Sequence, residues 1–89
     1  MKVTIGKEGC KKTWQAEFPE TTDCVLCKGK ARIGFVAHEG MEKSDKRPFV
    51  SELHLNKGKR GELWLHDCCA VAVYFCGECL KPTALYNQG

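Results

Sequence analysis

The strongest constraint on this chain is a pair of Cys-x-x-Cys units, Cys24–Cys27 and Cys76–Cys79, held apart by the 48 residues 28–75. Two intervening residues let one turn aim two sulfurs at a single point. Four sulfurs from two such turns match the closed tetrahedral environment that Zn²⁺ takes in structural sites. Bringing the two units together ties most of the chain around that point. A chain of 89 residues has a limited core to bury, and scaffolds of this size commonly depend on a metal or on disulfides.

Seven cysteines fit either a disulfide framework or a metal site. Residues 1–20 contain no apolar stretch of the kind that opens a secretory signal. Thiols in an unexported chain stay reduced, and an odd cysteine count points the same way. The expectation is a cytoplasmic, metal-binding chain forming a single domain over residues 1–89. No membrane span is expected: a spanning helix needs about 18 apolar residues, and the longest low-charge run is only Cys68 to Gly77. Fourteen Lys/Arg against eleven Asp/Glu give a formal net charge of +3. That balance argues neither for nor against nucleic acid as a partner.

Helical signals are poor. Nine glycines, three prolines and frequent β-branched or aromatic positions predict short strands and turns. Strands are expected at residues 3–5, 13–18, 30–38, 49–55, 62–75 and 83–86. Residues 19–23 and 39–48 read as loops, and Asn56 to Gly61 as a hairpin turn. Over residues 30–38, Ala31, Ile33, Phe35 and Ala37 alternate with Lys30, Arg32, Gly34, Val36 and His38, the pattern of a half-buried strand. The run 62–75 is long for one strand, so a bend or bulge is expected near His66–Asp67. By strand parity Cys69 shares a face with Val71, Val73 and Phe75, read as the core side. His66 and Cys68 share the other face with Cys76.

Strand, knuckle, strand, repeated twice, resembles the zinc ribbon family. The matching segments are TDCVLCKGKARIGF and AVAVYFCGECLKPTAL. The resemblance implies a small, mostly-β fold of antiparallel strands with two Cys-x-x-Cys knuckles. It also implies one structural Zn²⁺ per chain on Cys24, Cys27, Cys76 and Cys79, and a non-catalytic binding or scaffolding role. Zinc ribbons often place Gly directly after the second cysteine of a knuckle, whereas this chain has Lys28 and Leu80 there, with Gly29 one residue late.

The segment LWLHDCCAVAV resembles, in part, the ending of PHD-type cross-braced fingers at Trp64, His66 and Cys69, although the further Cys pair those fingers need is missing. His66, Cys68 and Cys69 are accordingly alternate ligands or hydrogen-bonding partners of a metal thiolate, with core packing the competing role for Cys69. Cys10 stands alone and reads as a bystander. A second metal site would draw on Cys10, Cys68 or Cys69.

Redox chemistry is the main rival. Cys76-Gly-Glu-Cys79 after an apolar strand is superficially like thioredoxin, but only ten residues follow Cys79, too few for the rest of that sheet. A rubredoxin-like iron electron carrier is the other alternative; it lacks here the glycines that let backbone amides approach sulfur, and the usual Cys-Pro. His38-Glu39 is followed by neither a zinc-protease nor a deaminase pattern, and no catalytic residue is expected. Lys57, Lys59 and Arg60 at the expected hairpin tip are the candidate nucleic-acid contacts, with Lys28, Lys30 and Arg32 just past the first knuckle. Exposed Trp14, Trp64 or Tyr74 beside such lysines would favour single-stranded nucleic acid. A protein partner, or a second copy joined through an edge strand, is the other expectation.

Overall fold

A computed structural model describes residues 2–13, 15–38 and 69–88. They form β1 (Lys2–Ile5), a 3-10 turn (Gly6–Lys11), β2 (Thr21–Asp23), β3 (Lys30–His38), β4 (Cys69–Cys76) and β5 (Pro82–Gln88). Every strand pair is antiparallel. β3 is central, with β4 along one edge and β5 beyond it. The other edge of β3 is shared: β2 lies beside Lys30 to Arg32 and β1 beside Phe35 to His38. The fold is thus small, mostly β and antiparallel, as the spacing and the strand pattern predict.

The alternation in β3 is broken midway. The pairing with β4 slips between Ile33 and Phe35, so Gly34 is the extra residue of a β-bulge, which turns the following side chains over. Before it Ala31 and Ile33 face the core; after it Val36 and His38 do, with Ala31 and Val36 fully buried and His38 nearly so. Phe35 and Ala37 therefore leave the face on which the unbroken alternation put them. His38 lies at the far end of this face, one ring nitrogen 3.2 Å from the Thr4 hydroxyl.

The core face of β4 is also the reverse of the expected one. Ala70, Ala72, Tyr74 and Cys76 are buried, whereas Phe75 is 46% exposed. An apolar run such as Cys69 to Cys76 marks a strand without marking its buried side. The choice comes from what lies on top. The 3-10 turn and the chain that follows it pack on this side of the sheet, where Cys10 and Phe18 share one buried cluster with Ala70, Ala72 and Tyr74. A Cβ added at Gly9 would come within 2.9 Å of the Thr4 carbonyl and of Val36, so the turn sits directly against β1 and β3.

Of the strand expected at 13–18, Thr13 and residues 15–18 are described and are not in a strand. They are tied down by long-range bonds instead: the Phe18 N–H donates to the Cys10 carbonyl at 3.0 Å, and Asn87 donates to the Thr13 hydroxyl at 2.8 Å and the Ala16 carbonyl at 3.1 Å. The Pro19 carbonyl accepts from the Tyr74 hydroxyl at 2.6 Å and from the Cys10 thiol at 3.7 Å. Cys10 is thus a core residue, 5% exposed, and its acidity is weakened by that burial and by Glu20 and Glu17. Part of the expected loop at 19–23 is a strand, because Thr21 to Asp23 pair with Arg32 to Lys30 and the Ile33 N–H extends the ladder to the Glu20 carbonyl. The expected strand at 49–55, hairpin at 56–61 and bend near His66–Asp67 lie outside the described residues. No helix among the described residues is long and apolar enough to cross a membrane.

Candidate metal centre

Each knuckle joins two paired strands, the first between β2 and β3, the second between β4 and β5. Ala31 pairs with Cys76 and the Gly77 N–H donates to the Lys30 carbonyl at 3.3 Å, so both knuckles emerge at one end of the sheet. The sulfurs of Cys24, Cys27, Cys76 and Cys79 all lie within 4.8 Å of one another. Cys24 and Cys79 approach to 3.6 Å, and Cys27 and Cys76 to 3.5 Å. A tetrahedron of sulfurs around Zn²⁺ at about 2.3 Å has edges of about 3.8 Å, so the four residues fit a tetrathiolate ion.

The two knuckles share one backbone pattern despite unlike flanks. The Lys28 N–H reaches back to the Cys24 carbonyl at 3.1 Å, and the Leu80 N–H to the Cys76 carbonyl at 3.2 Å. Cys24 and Cys76 in turn donate to the carbonyls of Gly29 and Lys81. Closing this turn needs a left-handed residue after the second cysteine, and Lys28 and Leu80 take it at φ 64° and 60°. The turn that glycine commonly provides is therefore made without it, at a backbone cost of about 1–2 kcal/mol per residue. Leu80 is 77% exposed, so its side chain returns little packing. Leu80→Gly is expected to stabilise the metal-loaded protein by roughly 0.5–1 kcal/mol, after the greater chain entropy that Gly loses on folding. The readout is the denaturation midpoint at unchanged metal content; a lower midpoint would show that the turn is not strained at this position.

Backbone amides polarise the sulfurs. Leu26, Gly29 and Glu78 direct N–H groups at the sulfurs of Cys24, Cys27 and Cys76, each at 3.4 Å. The N–H groups of Cys27 and Leu26 hold the Cys24 thiol down at about 6. Those of Cys79 and Glu78 lower Cys76 likewise. At Cys27 the Gly29 N–H also favours the thiolate, but the thiols of Cys76 and Cys79, with burial, outweigh it and push Cys27 up to about 12. Cys79 is raised as well: the Lys81 N–H lowers it, while burial and Cys24 prevail. Four anionic sulfurs this close repel one another, so without a cation two ionise readily and two hold their protons. A divalent ion removes that conflict.

Acid should therefore release the metal in a defined range. Because Cys24 is lowered from 9.0 to about 6 in the folded chain, the unfolded chain takes up protons first as the pH falls. The stability from that shift is complete above the ordinary value and is lost as the pH falls through about 6. A bound ion holds the thiolates further still, so metal and sheet are expected to be lost together only below that pH, followed with a metal-indicator dye and circular dichroism. Full metal retention at about pH 4 would contradict proton competition for these sulfurs.

A buried threonine links the knuckles. Thr83, 3% exposed, accepts the Val25 N–H at 3.1 Å, fastening the first knuckle to β5. Nothing in the sequence marked this contact, which spans 58 positions. Thr83→Val keeps the volume but strands the Val25 donor, with an expected loss of about 1–3 kcal/mol and an equivalent fall in chelator resistance.

Of the other singled-out residues, Cys69 begins β4 and Cys76 ends it; seven strand steps separate them by about 23 Å. The backbone thus puts position 69 at the opposite end of β4 from Cys76. Cys10 lies outside the four-sulfur cluster, and no second cluster of metal-ligand type occurs among the described residues. Tyr74 is buried rather than exposed. Trp14, Trp64, His66, Cys68, Lys57, Lys59 and Arg60 lie outside the described residues. Compared with known protein families, curated proteins and solved structures, the chain shows no significant match to any of them.

Proposed function

We propose that this chain is a zinc-binding module in which one Zn²⁺ on Cys24, Cys27, Cys76 and Cys79 clamps the two knuckles, organising residues 1–89 as a single domain, and that its role is non-catalytic binding or scaffolding. The observation that carries this reading is the approach of four sulfurs to within 4.8 Å at the end of the sheet where both knuckles meet. Four protein ligands leave no coordination position for water or substrate, which suits a structural centre. A reducing, cytoplasmic setting keeps such sulfurs available.

One observation favours a second reading. The absence of glycines argued against iron, yet three amides reach sulfur at 3.4 Å, and such bonds serve a rubredoxin-like iron tetrathiolate as well. Ligand softness does not separate the two metals. Elemental analysis of the native protein decides between them: a colourless sample with one zinc per chain is expected, and a red sample containing iron would replace zinc with an electron carrier. Metal-free protein with oxidised cysteines would instead point to thiol-redox chemistry.

A further inference from the structure

The sheet face turned away from the 3-10 turn carries an aromatic pair that the metal centre does not use. Phe75 is 46% exposed although its strand neighbours Tyr74 and Cys76 are 0% and 1% exposed. The bulge at Gly34 explains its pose. A Cβ added at Gly34 would fall 2.6 Å from Phe75 Cδ2 and 3.2 Å from the Val73 carbonyl, so the ring rests on bare backbone. Phe35 is tilted beside it, with ring centroids 6.3 Å apart and 49° between planes. Arg32 is the cross-strand partner of Phe75, and Lys30 lies two residues further along the same face of β3; both are exposed.

On this face Arg32 and Lys30 are the exposed cations beside the rings, with Asp23 the exposed cross-strand partner of Lys30. At the end of the sheet as a whole Lys28 and Lys81 are offset by Glu78 and by the anionic tetrathiolate, so the positive charge offered to a ligand is local to the rings. Rings flanked by cations complement a polyanion whose bases are unpaired: every base has a face that stacks on an aromatic ring, and phosphates pair with Arg and Lys. Duplex bases offer no such face. A second copy laid symmetrically on this surface would bring its own cationic row into the contact.

We propose that this face binds single-stranded nucleic acid, with bases stacked on Phe75 and Phe35 and phosphates contacting Arg32 and Lys30. The inference rests on the binding role proposed above and names its partner class.

The test titrates metal-loaded, full-length protein into a fluorescent oligothymidylate and its RNA counterpart at two salt concentrations, with a duplex of equal length as competitor. Salt-sensitive binding to single strands is expected, with the duplex at least about tenfold weaker. Phe75→Leu should weaken binding about tenfold, and Arg32→Ala should reduce the logarithmic salt slope by about one. Metal content and melting temperature, measured on each variant, show that it is folded. Absence of salt-sensitive binding, or wild-type affinity in Phe75→Leu, overturns the proposal. So does dependence on Lys57, Lys59 and Arg60 alone, read from their triple alanine variant, or a concentration-dependent dimer that Phe75→Leu abolishes. Zinc-replete protein that ignores oligonucleotides defeats only this inference, whereas protein devoid of metal defeats the module reading itself.

Discussion

Chelating the metal from the native protein is expected to abolish the cooperative fold. Structural zinc in small domains contributes on the order of 10 kcal/mol, while a whole domain is stable by only about 5–15 kcal/mol. The described core is small: its largest fully buried side chains are Tyr74, Val36, Cys24 and Cys76, two of which are the sulfurs at issue. Without the ion, the four thiols would be left packed together with their charges or protons in conflict. The sheet signal in circular dichroism should fall on chelation and return when zinc is restored. Cys24→Ser and Cys76→Ser should have the same effect, because both positions are buried, whereas Cys27 is exposed and its replacement leaves more room for water to adapt. Unchanged melting after complete removal of metal would defeat the structural role.

Tyr74→Ala should cost about 3–5 kcal/mol, the usual range for deleting a buried aromatic ring. This ring is fully buried two residues before the end of β4, and its hydroxyl holds the Pro19 carbonyl at 2.6 Å. It therefore anchors the crossing segment as well as filling the core. Tyr74→Phe separates the two contributions: it keeps the ring and loses only the hydrogen bond, for about 1–2 kcal/mol. Burial, with a smaller contribution from Cys10, raises the phenol from 10.0 to about 12. The folded form thus keeps its proton longer than the unfolded chain, so this stabilisation is intact below the ordinary value and is lost as the pH rises through about 12. Denaturant titrations of the metal-loaded protein across that range should show the decline, and Tyr74→Phe should flatten it. A Tyr74→Ala variant as stable as the parent would mean that the ring is not central to the packing.

Local chemistry was legible in the sequence and long-range packing was not. Cys-x-x-Cys spacing foretold the sulfur cluster because two residues suffice to set each pair, and the bounds of β3 followed from polar residues and a glycine turn before it. Which side of β4 is buried depends on Cys10 and Phe18, which share its buried cluster, and on the Pro19 carbonyl that Tyr74 bonds, all dozens of positions away in the chain. Alternation in Thr13 to Phe18 imitates a strand, yet those backbone groups bond to Cys10 and Asn87. Gly34 looked like an ordinary strand glycine until the pairing with β4 revealed the bulge. Propensity alone would not assign left-handed backbone to Lys28 or Leu80.

The ends of the sheet are separable. β3 leaves at His38 and β4 returns at Cys69, with His38 paired to Ala70, a full strand length of about 23 Å from the sulfurs. The last residue of β3 and the first of β4 thus lie side by side at the pole opposite Cys24, Cys27, Cys76 and Cys79. Amide hydrogen exchange at His38 and at Cys76 therefore samples the two poles of the sheet separately.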